Sequence, residues 1–153
     1  RLTYTLPADG TYVIRASPLV SSSDGLYSLE LIDRGPKPLP GSVLVGATAR
    51  GTLSETDAIG DDGGYFDAWR FQAKADEKLV ITMVSNEFDS FLWVASENED
   101  GSLELLASDD DSLSDVHARL EWTAPEDGTY VIRAGSFAPN QTGAYAVRIE
   151  KAP

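Results

Sequence analysis

The side chains best able to do chemistry in this 153-residue sequence are carboxylates gathered in two short stretches. Glu55, Asp57, Asp61 and Asp62 stand among Gly60, Gly63 and Gly64, and Asp109, Asp110, Asp111 and Asp115 form the second group. Carboxylates crowded into loops repel one another until a hard cation binds, and calcium takes about 6 to 8 oxygen ligands, so these eight residues are candidate calcium ligands. Neither group has the alternating aspartates and distant glutamate of an EF-hand. The competing reading is a set of solvated turn carboxylates that keep the chain soluble. Nucleophilic catalysis is poorly provided for. The single histidine, His117, lies between Val116 and Ala118 with no partner set evident in the sequence, and a Ser-His-Asp mechanism needs an imidazole held on its nucleophile. There is no cysteine, which excludes thiol catalysis and a thiolate zinc site. Glycoside hydrolysis needs two carboxylates at a set separation, and abundance of acids is not evidence of pairing. The expectation is a chain that is not an enzyme.

Aromatic residues offer a binding chemistry instead. Phe88 and Phe137 fall between predicted strands and are candidate exposed contacts, whereas Trp69, Trp93 and Trp122 fall in phase with apolar neighbours and read as core. Asn140-Gln141-Thr142 is a glycosylation sequon in a predicted loop. With 25 acidic and 12 basic residues the formal net charge is −13, a balance that repels a phosphate backbone and argues against nucleic acid as a partner. No apolar run approaches the roughly 18 residues of a membrane helix, and the first residues lack the charged and apolar regions of a leader, so membrane insertion is not expected and the chain reads as a mature or excised segment.

The elements that must position these groups are strands. Apolar residues alternate with a period of two at Trp69, Phe71 and Ala73, at Leu79, Ile81 and Met83, and at Phe91, Trp93 and Ala95. Tyr130, Ile132 and Ala134, then Tyr145, Val147 and Ile149, continue the pattern, with Asp-Gly turns between runs. This predicts strands near 49–54, 65–73, 78–84, 90–96, 103–107, 118–123, 129–135 and 144–150. The fold class is all-β, an antiparallel β-sandwich of jelly-roll type.

The chain also repeats itself. Residues 1–32 align without a gap on residues 119–150, an offset of 118, and Leu2–Ala16 matches Leu120–Ala134 at eleven of fifteen positions. Gly25 and Tyr27 then fall on Gly143 and Tyr145. Residues 1–33 therefore read as the closing part of a first repeat, residues 34–44 as a Pro/Gly-rich linker, and residues 45–153 as one complete repeat. Strands are expected at 2–6, 11–17 and 26–32. Their earlier partners are missing, so their edges are expected to recruit strands from another chain or a neighbouring repeat.

Six short motifs occur in an order that resembles the bacterial and archaeal pre-peptidase C-terminal domain family. They are Gly51-Thr52-Leu53, Asp67-Ala68-Trp69-Arg70-Phe71, Phe88-Asp89-Ser90-Phe91-Leu92, Leu106-Ala107-Ser108-Asp109-Asp110-Asp111, Gly128-Thr129-Tyr130-Val131-Ile132-Arg133 and Gly143-Ala144-Tyr145. The last two recur at Gly10–Arg15 and Gly25–Tyr27. The resemblance implies secretion or display at the cell surface, a non-catalytic sandwich, tandem copies and removal during maturation in protease contexts, and collagenase-associated members imply calcium. The function expected first is structural or adhesive, in an extracellular array, surface protein or filament whose chains interlock by self-association. An accessory domain of a secreted hydrolase, and a calcium-tuned carbohydrate- or protein-binding module, are the alternatives.

Overall fold

The structure is a computed structural model that describes residues 4, 6, 8–19, 25–31, 33, 40–60, 62–98 and 102–153. It divides into two units, Arg1–Ile32 and Asp33–Pro153. All described strands belong to the second unit: β1 (Gly41–Ser42), β2 (Thr48–Leu53), β3 (Ala58–Ile59), β4 (Tyr65–Ala73), β5 (Lys78–Ser85), β6 (Ser90–Glu97), β7 (Leu103–Asp109), β8 (Ala118–Thr123), β9 (Gly128–Ser136) and β10 (Gly143–Lys151). No helix occurs among the described residues.

One sheet runs β1-β4-β9-β6-β7, with β3 also beside β4, and the other runs β2-β10-β5-β8. Every pairing is antiparallel except that of β1 with β4. The inner faces carry the alternating residues read from the sequence: Phe71, Leu92, Val94, Ile132 and Ala134 from the first sheet meet Leu79, Ile81, Met83, Val147 and Ile149 from the second. Each large side chain fully buried in this way stabilises the fold by roughly 1.5–3 kcal/mol. An aromatic trio bridges the sheets, with Trp122 edge-on to both Phe71 and Tyr130 at centroid distances of 6.0 and 4.7 Å.

Four expectations are corrected. On β6 the main core takes Leu92 and Val94 and not the alternate set Phe91, Trp93 and Ala95, which lies on the outer face. Both sets are apolar and mostly buried there, so alternation carries no phase. Second, Gly41 and Ser42, read as linker, form β1 against Trp69 and Arg70, and Val43 is buried in the core. Third, β3 has no counterpart among the expected strands; a two-residue strand shows no periodicity and exists only through its partner, β4. Fourth, the described residues of 2–6, 11–17 and 26–32 form no strand. Residues 34–39 of the expected linker, like Asp61 of the first acidic group, lie outside the described residues.

Candidate functional site

Strand register places nearly every residue singled out for chemistry at one end of the sandwich. Ser90 faces Ser136, Leu92 faces Asp109, and Phe66 faces Gly135 in one sheet. In the other, Leu53 faces Gly143, Ser85 faces Tyr145, and Met83 faces Ala118. The turns at that end carry Glu55, Asp57 and Asp62, then Phe88 and Asp89, then Asp109 to Asp115, then Phe137 and Asn140.

Within this acidic end three of the carboxylates, Asp57, Asp62 and Asp109, cap turns. Ser54 N donates to Asp57 Oδ2 at 2.7 Å and Gly64 N to Asp62 Oδ1 at 3.0 Å. Asp109 accepts from Ser112 N at 3.2 Å, from Arg119 N at 2.7 Å and from the Ser112 hydroxyl, which ties the turn after β7 to the start of β8. Glu55, Asp111 and Asp115 are exposed. Among the described residues no three Asp, Glu or His side chains are arranged to hold a metal ion. Asp89 is the perturbed member of the group. Its Oδ1 is buried without a hydrogen-bond partner among the described residues, and burial, then the charges of Asp110 and Asp111, push its carboxyl above the usual range while His117 opposes them. His117 Nδ1 donates to the Val116 carbonyl oxygen at 2.9 Å, a bond within the turn and not one to a nucleophile.

The two loop aromatics part company. Phe137 is 51% exposed with its ring 5.7 Å from that of Phe91. Phe88, expected as an exposed contact, is 6% exposed and packs edge-on to Tyr145 at 6.4 Å, because the turn entering β6 folds its ring under the sandwich end. Asn140 is exposed in the turn between β9 and β10, with φ of 59°, a left-handed conformation that asparagine tolerates better than most residues. On the outer face of the first sheet, the Arg133 guanidinium lies over Phe66 at 3.8 Å and Trp93 at 4.8 Å, and Trp93 stacks on Phe91 at 3.8 Å.

Just inside the same end lies a polar tie between the sheets. Trp69 Nε1 donates to the Tyr145 hydroxyl oxygen at 2.8 Å, and that hydroxyl donates to Asp67 Oδ2 at 2.6 Å. Burial raises the Asp67 carboxyl despite the Tyr145 bond, with Asp57 adding to the rise. Burial and the Asp67 carboxylate raise the Tyr145 phenol as well. Gly51 is required by close approach: a Cβ there would sit 2.3 Å from the Tyr145 hydroxyl. Asp67 and Tyr145 were not among the residues read as functional, yet the Gly-x-Leu, Asp-x-Trp and Gly-x-Tyr motifs converge here. Their signal was the recurrence of Gly-x-Tyr at Gly25 and Tyr27.

No family model matches the chain, and no curated protein matches it in sequence. Solved structures do match. The pre-peptidase C-terminal domain of a collagenase from Bacillus anthracis superposes with a TM-score of 0.54 at 16% identity, covering 75% of this chain and 98% of that domain. The fold is that of a pre-peptidase C-terminal domain. CorA, a surface-associated copper-binding protein of Methylomicrobium album BG8, superposes with the same TM-score of 0.54 at 8% identity, covering 76% of this chain and all of that one, 100%. With a single histidine, one methionine and no cysteine in this chain, a copper site of imidazole, thioether or thiolate ligands is not carried over from that likeness.

Proposed function

We propose that this chain is a non-catalytic β-sandwich module of a secreted or surface-displayed protein, serving as a structural repeat in an extracellular array. The observation that carries the reading is the internal repeat of the closing segment, residues 1–32 upon 119–150, since repetition is how arrays are built. Two features support it. The motif residues Asp67, Trp69 and Tyr145 are spent on one another in holding the sheets together, and the similar structures are a domain of a collagenase and a surface-associated protein. Its partners in this reading are neighbouring repeats and other copies.

The likeness to a collagenase domain favours a second reading, an accessory module that attaches a hydrolase to its substrate. Sedimentation of the full chain with insoluble protein and polysaccharide separates the two. A structural repeat shows no saturable retention. Retention that saturates and is lost in Phe137→Ala would replace the structural reading with the accessory one. Calcium at Asp109, Asp110 and Asp111 would belong to such a module, and a melting temperature that rises with calcium but not with magnesium is its check.

A further inference from the structure

The offset of 118 places residues 10–18 on β9 and residues 25–33 on β10, with the first residues on β8. In the complete unit β8 pairs with β5, β9 with β4 and β6, and β10 with β2 and β5; no two of the three pair with one another. A segment with the sequence of β8, β9 and β10 alone therefore has no ladder to form, and the described residues of 1–32 form none. Yet one local bond of the complete unit is kept: Tyr130 donates its hydroxyl to the Glu126 carbonyl at 2.9 Å, and Tyr12 does the same to Ala8, at the matching positions, at 2.5 Å. Val13, Ile14, Tyr27, Leu29 and Leu31 are exposed, whereas their counterparts in β9 and β10 are buried.

We propose that residues 1–32 are the closing segment of a second sandwich, and that their partner is an open framework of the β1-to-β7 kind, additional to the one in residues 41–117. This deepens the reading of the chain as a structural repeat. The partner is defined by chemistry. Its β4-like strand carries Asp-x-Trp to receive the Tyr27 hydroxyl, as Asp67 and Trp69 receive Tyr145. Its β4- and β6-like strands flank Ile14, as Trp69 and Val94 flank Ile132.

The test grafts a second copy of residues 41–118 directly ahead of Arg1 in the full chain, so that Ala118 meets Arg1 as it meets Arg119. Hydrogen exchange is then followed at residues 11–17 and 27–31. The expected result is fast exchange in the ungrafted chain and a slowing of at least about 100-fold on grafting, to the level of residues 129–135. Ile14→Asp in the grafted chain should restore fast exchange at 11–17 and leave 129–135 protected. Unchanged exchange at 11–17 on grafting, slow exchange there before grafting, or loss of protection in both units would each overturn the proposal. Saturable substrate retention would overturn the structural reading without touching this pairing.

Discussion

Residues 11–16 and 129–134 are the same six-residue string, Thr-Tyr-Val-Ile-Arg-Ala, in two different states. In the second copy Ile132 is fully buried between two strands, at 0% exposure, and in the first Ile14 is 54% exposed with no strand assigned. Tyr145 is 4% exposed and holds two sheets together, while Tyr27, at the matching position, is 76% exposed. Local propensity is equal in the two copies, so it cannot be the source of the difference. What differs is the presence of β2, β4, β5 and β6 alongside, which shows that β-propensity is a fit to a half-buried surface and not a property of the backbone alone.

Matched substitutions sharpen this comparison, and the largest effect is expected in the core. Ile132→Ala should cost about 2–5 kcal/mol of unfolding free energy through lost burial and a cavity, while Ile14→Ala should leave denaturant unfolding within about 0.5 kcal/mol of the parent. Equal losses would mean that residues 11–16 are packed. Next comes the polar tie. Tyr145→Phe removes the donor to Asp67 and the acceptor for Trp69 Nε1, leaving buried groups unpaired at a cost of about 1–3 kcal/mol; Tyr27→Phe should be silent in the same melt.

A smaller effect is expected with pH. The Asp67 carboxyl is raised in the folded chain by burial, so its contribution to stability is present in full below the ordinary carboxylate pKa and is lost as pH rises through the raised value. Asp67→Asn should therefore flatten the dependence of melting temperature on pH above about pH 4, with nothing comparable produced by changes in residues 1–32. The smallest effect belongs to the acidic loops. Asp110→Asn relieves the repulsion on Asp89 and should raise the melting temperature slightly at low ionic strength, a gain that added salt removes.

Most of the fold was legible because an antiparallel sandwich writes its inner faces as alternation. The expected strand at 65–73 is β4 and that at 118–123 is β8, residue for residue, and the runs at 78–84, 129–135 and 144–150 fall within one residue of the observed ends of β5, β9 and β10. Legibility ended where the physical signal did. β1 and β3 have two residues each, too few for a period. β6 is apolar on both faces, so alternation at Phe91, Trp93 and Ala95 gave the outer set instead of Leu92 and Val94, and on that outer face the Arg133 guanidinium lies over Trp93. Phe88 stands in a turn in sequence and in the core in space, since a loop position says nothing of which way the loop folds. The convergence of Gly51, Asp67, Trp69 and Tyr145 was spelled out as three separate motifs, but that Asp67, Trp69 and Tyr145 bond to one another beside Gly51 is a matter of inter-sheet geometry.

By itself the sequence determined the class, the strands, the turns between them and the existence of a repeated closing segment, all of which are local or periodic properties of the chain. Only the tertiary structure decided that the acidic loops and Phe137 share one end, that Phe88 is core, and that one copy of the repeated segment is sheet while the described residues of the other form none. Those outcomes depend on partners distant along the chain, because a β-strand's hydrogen bonds are made to other strands and not within itself.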